Sequence, residues 1–241
     1  MNKNFNKLLL FLDSIQFRFS VIAVVETWTT STTEHLYKIP GYICCIKSRA
    51  DGRGGGVALY VQDSLCYRPR DDLNVFECAD FEFVCVQLNV NCSLCNITVV
   101  YRPSGGALSS FNENYNRLVD KLAAEKQQCL TTGDFNINLL NYSKHAETEN
   151  FLNTALSHFQ YPVILRHTRY SSTSSTLLDN IFSNNITSDY LSEIFTTDIS
   201  YHLPVFYILK EFTDKIRHEY ITVRFRDTSY TKTNDFVWKL Q

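Results

Sequence analysis

The chain has 241 residues, 44% of them hydrophobic and 20% charged, enough apolar surface to bury one sizeable core. That balance, with only five Pro and eight Gly, excludes disordered and fibrous classes. No apolar run approaches the ~20 residues of a membrane-spanning helix. A formal charge of -2 argues against a constitutive nucleic-acid coat protein but leaves room for a local basic rim.

Phe5, Leu8, Leu9, Leu12 and Ile15 recur at helical spacing and predict a core-facing first helix. The apolar stretch Leu8 to Leu12 is too short for a secretory core and is ended by Asp13, so a nuclear or cytoplasmic location is expected rather than secretion. Ser20 to Val25 reads as a buried strand stopping at Glu26, followed by strands at Tyr42 to Lys47, Gly56 to Val61, Phe81 to Asn89 and Leu94 to Tyr101. Turn residues separate them: Asp51-Gly52, the glycines 54 to 56, and Asn89 to Ser93. Phe111 to Ala124 is a helix with Ser109 or Ser110 as its expected N-cap. A strand at Gln128 to Thr132 leads into Gly133-Asp134-Phe135-Asn136. Then come a helix at Glu147 to His158 and strands at Leu177 to Phe182, Leu191 to Phe195 and Val205 to Leu209. Such a mixture of hairpins and helical crossovers favours a layered α/β sandwich over a barrel of regular repeats. Residues 211–241 are polar and of alternating charge, and read as a tail or linker outside a domain at 1–210. The eight cysteines are expected to be reduced and mostly buried, and Cys92-x-x-Cys95 lacks the second pair a zinc set needs.

Five segments share one feature, a polar, metal-compatible or proton-handling side chain where a buried strand ends. They carry Glu26, Tyr101, the pair Asp134 and Asn136, Asp179, and His202. Strand ends are rigid platforms, and several converging on one edge of a sandwich would make a hydrolytic centre. Taken singly, each has a plainer explanation: a solvated turn Glu, an Asx turn at Gly133-Asp134-Phe135-Asn136, a structural His, a core Tyr. The glycines 54 to 56 lack the Lys-Ser/Thr of a phosphate-binding loop and suit a hairpin turn.

Six motifs occur in one order: Val-Glu-Thr-Trp at 25–28, Gly-Gly-Gly-Val-Ala-Leu-Tyr-Val at 54–61, Val-Tyr-Arg-Pro at 100–103, Thr-Gly-Asp-Phe-Asn-Ile-Asn at 132–138, Ser-Thr-Leu-Leu-Asp-Asn-Ile-Phe at 175–182 and Asp-Ile-Ser-Tyr-His-Leu-Pro-Val-Phe at 198–206. In this the chain resembles the endonuclease/exonuclease/phosphatase superfamily, and more narrowly the apurinic-endonuclease-like domain that precedes reverse transcriptase in non-LTR retrotransposons of the LINE type. The resemblance implies an α/β four-layer sandwich of two mixed β-sheets flanked by helices, and hydrolysis of a phosphodiester in DNA with magnesium or manganese. A reverse transcriptase region would follow in a full-length element. Glu26 would hold the cation, since hard divalent ions take carboxylate oxygens. Asp134 would orient and deprotonate water, and Asn136 would donate to a phosphate oxygen. His202 would assist, with its tautomer fixed by Asp179, and Tyr101 would supply a hydroxyl. Arg49, Arg53, Arg102, Arg166 and Arg169 could rim a DNA groove or be ordinary surface charge.

Two departures from the family pattern lead us to expect weak or absent turnover. The family's domain opens with a strand bearing an Asn, expected before the helix that begins here near Asn2, so the first strand is expected to be missing. Ser200-Tyr201-His202 stands where the family has Ser-Asp-His, and Tyr supplies no charge near neutral pH. Asp198 is not expected to substitute, since strand alternation sets it on the opposite face from position 201. The alternatives are a catalytically inactive remnant and a phosphatase acting on lipid or nucleotide phosphates.

Overall fold

A computed structural model describes residues 4–49, 54–76, 78–90, 93–171, 173–186 and 189–209. The 211–241 tail, the Asp51-Gly52 turn, Arg53 and Cys92 therefore lie outside the described residues. Helix α1 (Phe5–Ser14) is followed by strands β1 (Val21–Val25), β2 (Tyr42–Lys47), β3 (Val57–Gln62), β4 (Cys66–Pro69), β5 (Glu82–Val90) and β6 (Ser93–Tyr101). Next come α2 (Leu108–Ala124), β7 (Gln128–Asp134), α3 (Ala146–Ser157), β8 (Tyr161–Pro162), β9 (Arg169–Tyr170), β10 (Ser175–Thr176), β11 (Asp179–Ser183), β12 (Tyr190–Ile194) and β13 (Val205–Leu209).

The strands form a six-stranded mixed sheet in the order β4-β5-β6-β7-β11-β8 and a three-stranded antiparallel sheet β1-β3-β2, with β9/β10 and β12/β13 as separate pairs. Helix α2 links β6 to β7 and makes their pairing parallel, as a crossover of that length allows. Among the described strands, β1 is hydrogen-bonded only to β3 and β13 only to β12.

Strand alternation sets the layers. In β3, Val57, Leu59 and Val61 pack with Val86 and Leu88 of β5 and with Ile97 and Val99 of β6, between the two sheets. Ala58 and Tyr60 point the other way, onto Phe5, Tyr37 and Ile39 beside α1. The opposite face of the large sheet carries Phe83, Cys85 and Val100 against Phe111, Tyr115 and Leu118 of α2 and Phe151 and Ala155 of α3. Helix, small sheet, large sheet and helices make four layers, an α/β fold with a mixed sheet and flanking helices, as expected.

Three local expectations need correcting. The second helix begins at Leu108 with Ala107 as N-cap and no side-chain cap, so Ser109 and Ser110 lie inside it. The strand expected from Leu177 starts only at Asp179, placing that carboxylate at a strand's beginning rather than its end. The cause is the antiparallel pairing of β11 with β7, which must start where β7 finishes. The thiols are free among the described residues, but only Cys85, Cys95 and Cys129 are buried, and Cys66 is exposed.

At the other end of β5 and β6 lies a buried polar network. Arg70 donates to Glu125 at 2.6 and 2.9 Å, to Asp72 at 2.8 Å through two nitrogens, and to Asn96 at 3.0 Å. Asn96 lies five residues before Tyr101 on β6, roughly 17 Å away at strand rise. Arg70→Leu removes the charged donor and leaves Asn96 Oδ1 and Glu125 Oε2 only their longer bonds from Gln87 and Asn96, at 3.3 and 3.2 Å. A loss of about 2–3 kcal/mol in urea unfolding is expected, below the 3–5 of a fully buried pair because both acids reach solvent. Chemistry at the far end of the strand should be unchanged.

Candidate active site

Pairing register builds the site. Glu82 of β5 is opposite Tyr101 of β6, Tyr101 is beside Asp134 of β7, and Asp134 is opposite Asp179 of β11. Directly paired residues project from the same face, so four polar side chains form one row across the large sheet, facing the small sheet. Glu26 reaches the row from β1 of the other sheet: the Tyr101 hydroxyl donates to Glu26 Oε1 at 2.7 Å. His202 Nδ1 lies 2.9 Å from Asp179 Oδ2 and 3.9 Å from Asp134 Oδ2. Ligand atoms of Asp134, Asp179 and His202 all fall within 4.8 Å of one another.

The backbone is forced into unusual shapes to achieve this. Gly133 has φ +144°, and a Cβ there would sit 1.8 Å from the Val100 carbonyl oxygen. Only glycine lets β7 close on β6 one residue before Asp134. Glu26, Trp28 and Asn136 have φ of 51°, 52° and 48°. Left-handed backbone at a non-glycine residue costs on the order of 1–3 kcal/mol and persists where neighbours over-determine it. Here Thr27 and Trp28 N–H donate to the Gly56 and Gly55 carbonyls. The turn at Asp134–Asn136 is held by Asn136 N–H on Asp134 Oδ1 at 2.9 Å.

Asn136 and Arg102 behave differently from the sequence expectation. Asn136 Nδ2 donates to the Arg102 carbonyl at 2.7 Å and to Asp134 Oδ2 at 3.3 Å. Both amide hydrogens are thus engaged, and donation to a phosphate requires one bond to be released. Arg102, expected at a groove rim, is buried; it donates to the carbonyls of Phe135, Gly106 and Asn136 at 2.9, 2.7 and 2.6 Å. It clamps the Asp134–Asn136 turn from a buried position. Arg49 pairs with Glu82 and the exposed Arg166 with Glu193. Arg169 is exposed and bridges through its backbone to His202. Tyr201 is 80% exposed, and Asp198 pairs with Lys7 at 3.0 Å. Glu82, which sequence reasoning missed, was detectable as a charge on the same alternation face as Val84, Val86 and Leu88, a face packed between the sheets.

Crowded carboxylates set the electrostatics. Burial first, then the charges of Asp179 and Glu26, push the Asp134 carboxyl upward toward neutrality, against the opposing pull of His202. Burial alone would lower His202, but the hydrogen bond and charge of Asp179 outweigh it and raise the imidazole. Burial and the Glu26 hydrogen bond raise Tyr101, so it stays protonated and acts as a donor. The donor set of clustered carboxylate oxygens and one imidazole fits a divalent cation, which would relieve this repulsion. In the cation-free fold Asp134 keeps its proton at pH values where the unfolded chain, titrating near 4, has released it. The contribution of Asp134 to stability therefore falls as pH climbs from about 4 to neutrality and is not regained above. We expect added Mg²⁺ or Mn²⁺ to raise Tm more at pH 8 than at pH 5, read by thermal scans. An equal shift at both would exclude these carboxylates as the cation site.

A cleft of about 420 Å³ opens beside the row, lined by Arg102, Leu108, Asn136, Ile137, Asn138, Asn141, Lys144, His145 and Thr148. It shares Asn136 with the acidic cluster.

The family model for the Endonuclease/Exonuclease/phosphatase family matches residues 3–202, and the chain belongs to that family, whose members hydrolyse phosphodiesters and phosphate esters. No curated protein sequence matches it. Among solved structures it is similar to the endonuclease domain of TRAS1, a telomere-specific non-LTR retrotransposon, with TM-score 0.67 and 13% identity over 86% of this chain and 91% of that one. It is also similar to the Xenopus laevis APE2 catalytic domain (TM-score 0.61, 18% identity, 84% and 86% covered). A third is a mannosyl-6-phosphatase from Bacteroides thetaiotaomicron (TM-score 0.56, 14%, 86% and 91%). These likenesses establish the fold. Among the described residues no helix is long and apolar enough to cross a membrane.

Proposed function

We propose that this chain hydrolyses phosphodiester bonds in DNA with a divalent cation, as a strand-nicking domain of retrotransposon type. The observation that carries the reading is the convergence of Glu26, Asp134, Asp179 and His202 from four remote parts of the chain onto one sheet edge. Glu26 and Asp179 would hold magnesium or manganese, which when bound neutralises charge on the phosphate and its leaving oxygen. Asp134, raised toward neutrality and held by two bonds from Asn136, takes a proton from the attacking water. His202, whose hold on a proton Asp179 strengthens, donates to the phosphate. Tyr101 fixes one Glu26 oxygen through its hydroxyl.

The adjoining cleft favours a polymer over a small phosphate ester, because it offers amide donors and Lys144 beside Asn136, where the next nucleotide of a strand would lie. Lys144→Glu should raise KM for an oligonucleotide about fivefold or more while leaving turnover of bis(p-nitrophenyl) phosphate within twofold; like-charge repulsion of one backbone phosphate sets that scale. Equal effects on both substrates would remove the cleft from the reading.

Turnover is expected to be slow. Tyr201 stands exposed beside His202 and adds no carboxylate to the cluster, so cation affinity rests on fewer charges. Nicking of supercoiled plasmid tests the proposal, since a single cut per circle registers. Slow relaxation that requires Mg²⁺ or Mn²⁺, and that speeds up in Tyr201→Asp, is the expected result; no cation-dependent nicking by either chain would leave the inactive remnant as the better account.

A further inference from the structure

Glu82 is a buried carboxylate that the chemistry above does not use. Its Oε2 accepts from the Gly56 N–H at 2.7 Å, and its Oε1 accepts from the Arg49 guanidinium. The ion pair lies directly on the glycine turn: a Cβ on Gly55 would meet Arg49 Nε at 2.5 Å and Glu82 Oε1 at 2.7 Å. The same two glycines offer their carbonyls to Trp28 and Thr27, at 2.9 and 3.1 Å. Thr27 Oγ1 continues to Thr29 Oγ1 and then Ser48 Oγ, each step 2.9 Å. Glu26 is the residue just before Thr27 and is held at φ +51°. One carboxylate thus anchors the turn that holds the left-handed segment carrying Glu26, while its register partner Tyr101 holds the Glu26 side chain.

We infer that Glu82, with Arg49, is the positioning pair for Glu26, fixing where that carboxylate meets a cation. This rests on the reading of Glu26 as a cation ligand. Arg49 is then committed to the protein's own interior rather than to a DNA backbone. The glycines at 54 to 56, which resemble a phosphate cradle in sequence, serve as the contact between a buried acid and a metal-binding loop. Groups that orient ligands in this way typically change metal affinity by about 10–100-fold when removed.

The test is Mn²⁺ binding by isothermal titration on the full chain, with the urea midpoint of every variant recorded beside it. Glu26→Gln is expected to weaken Mn²⁺ about tenfold or more. The paired replacement Arg49→Leu with Glu82→Leu, which removes both charges together, is expected to weaken it about tenfold as well. Should that chain fail to fold, Arg49→Leu against Arg49→Lys carries the same comparison, with loss in the first and affinity within about threefold of wild type in the second. Normal Mn²⁺ binding by a folded Glu82 or Arg49→Leu variant, alongside loss in Glu26→Gln, overturns the positioning role alone. Normal binding by Glu26→Gln overturns the ligand reading and the inference with it.

Discussion

Asp134→Asn is expected to abolish cation-dependent nicking, with a fall of about 10²–10⁴-fold, the scale of a lost general base. The substitution is close to isosteric and keeps an oxygen for the Asn136 N–H, so the turn survives. It removes the one group that burial and like charges have raised toward neutrality. It also relieves the repulsion around Asp179, so the variant should be more stable than wild type at pH 8 without metal. Measured together, a collapse in plasmid nicking and a gain in urea midpoint separate chemistry from misfolding. A variant that still nicks at wild-type rate would mean that another carboxylate receives the proton.

Gly133→Ala should be the most destabilising glycine-to-alanine change among the described residues. The added carbon would lie 1.8 Å from the Val100 carbonyl oxygen and 2.9 Å from its nitrogen, and both belong to backbone of the neighbouring parallel strand. Neither can swing aside as a flexible side chain would, and φ +144° is itself foreign to alanine. A loss of about 4–5 kcal/mol is expected, in the range reserved for steric or core lesions, against typical total stabilities of ~5–15. Urea unfolding should show a much lower midpoint at unchanged slope, with insoluble expression as the extreme. A near-normal midpoint would show that β6 and β7 can part at this point without cost.

Residues with strong local patterns were legible in advance. The apolar runs of β1, β2, β3, β5 and β6 and the amphipathic spacing of α2 each carry their own signal, and the order of motifs pointed to Glu26, Asp134, Asp179 and His202. Register carried no such signal. Nothing in the spacing says that Glu82, Tyr101, Asp134 and Asp179 stand in one row, because a strand's alternation fixes its face but not its neighbour's offset. Glu82 was overlooked for that reason: its face is apolar at Val84, Val86 and Leu88, but only the register shows that the charge stands in the row with Tyr101 and Asp134. The burial of Arg102 was not legible because its partners are backbone carbonyls, which leave no trace in residue types. The β4 strand, Cys66-Tyr67-Arg68-Pro69, is an exposed edge with a terminal Pro and lacks the apolar run that marks a strand.

The 2.7 Å bond from Tyr101 to Glu26 joins side chains whose backbones belong to separate β-sheets. The distance between those sheets is set elsewhere, by Leu59, Val86, Val99 and their neighbours. On the function proposed above, the site is therefore a gauge of interlayer spacing. A methyl lost from that shared interior would alter the fit of an ion before it melted the protein, so inherited damage in such a chain can silence it while leaving its shape intact.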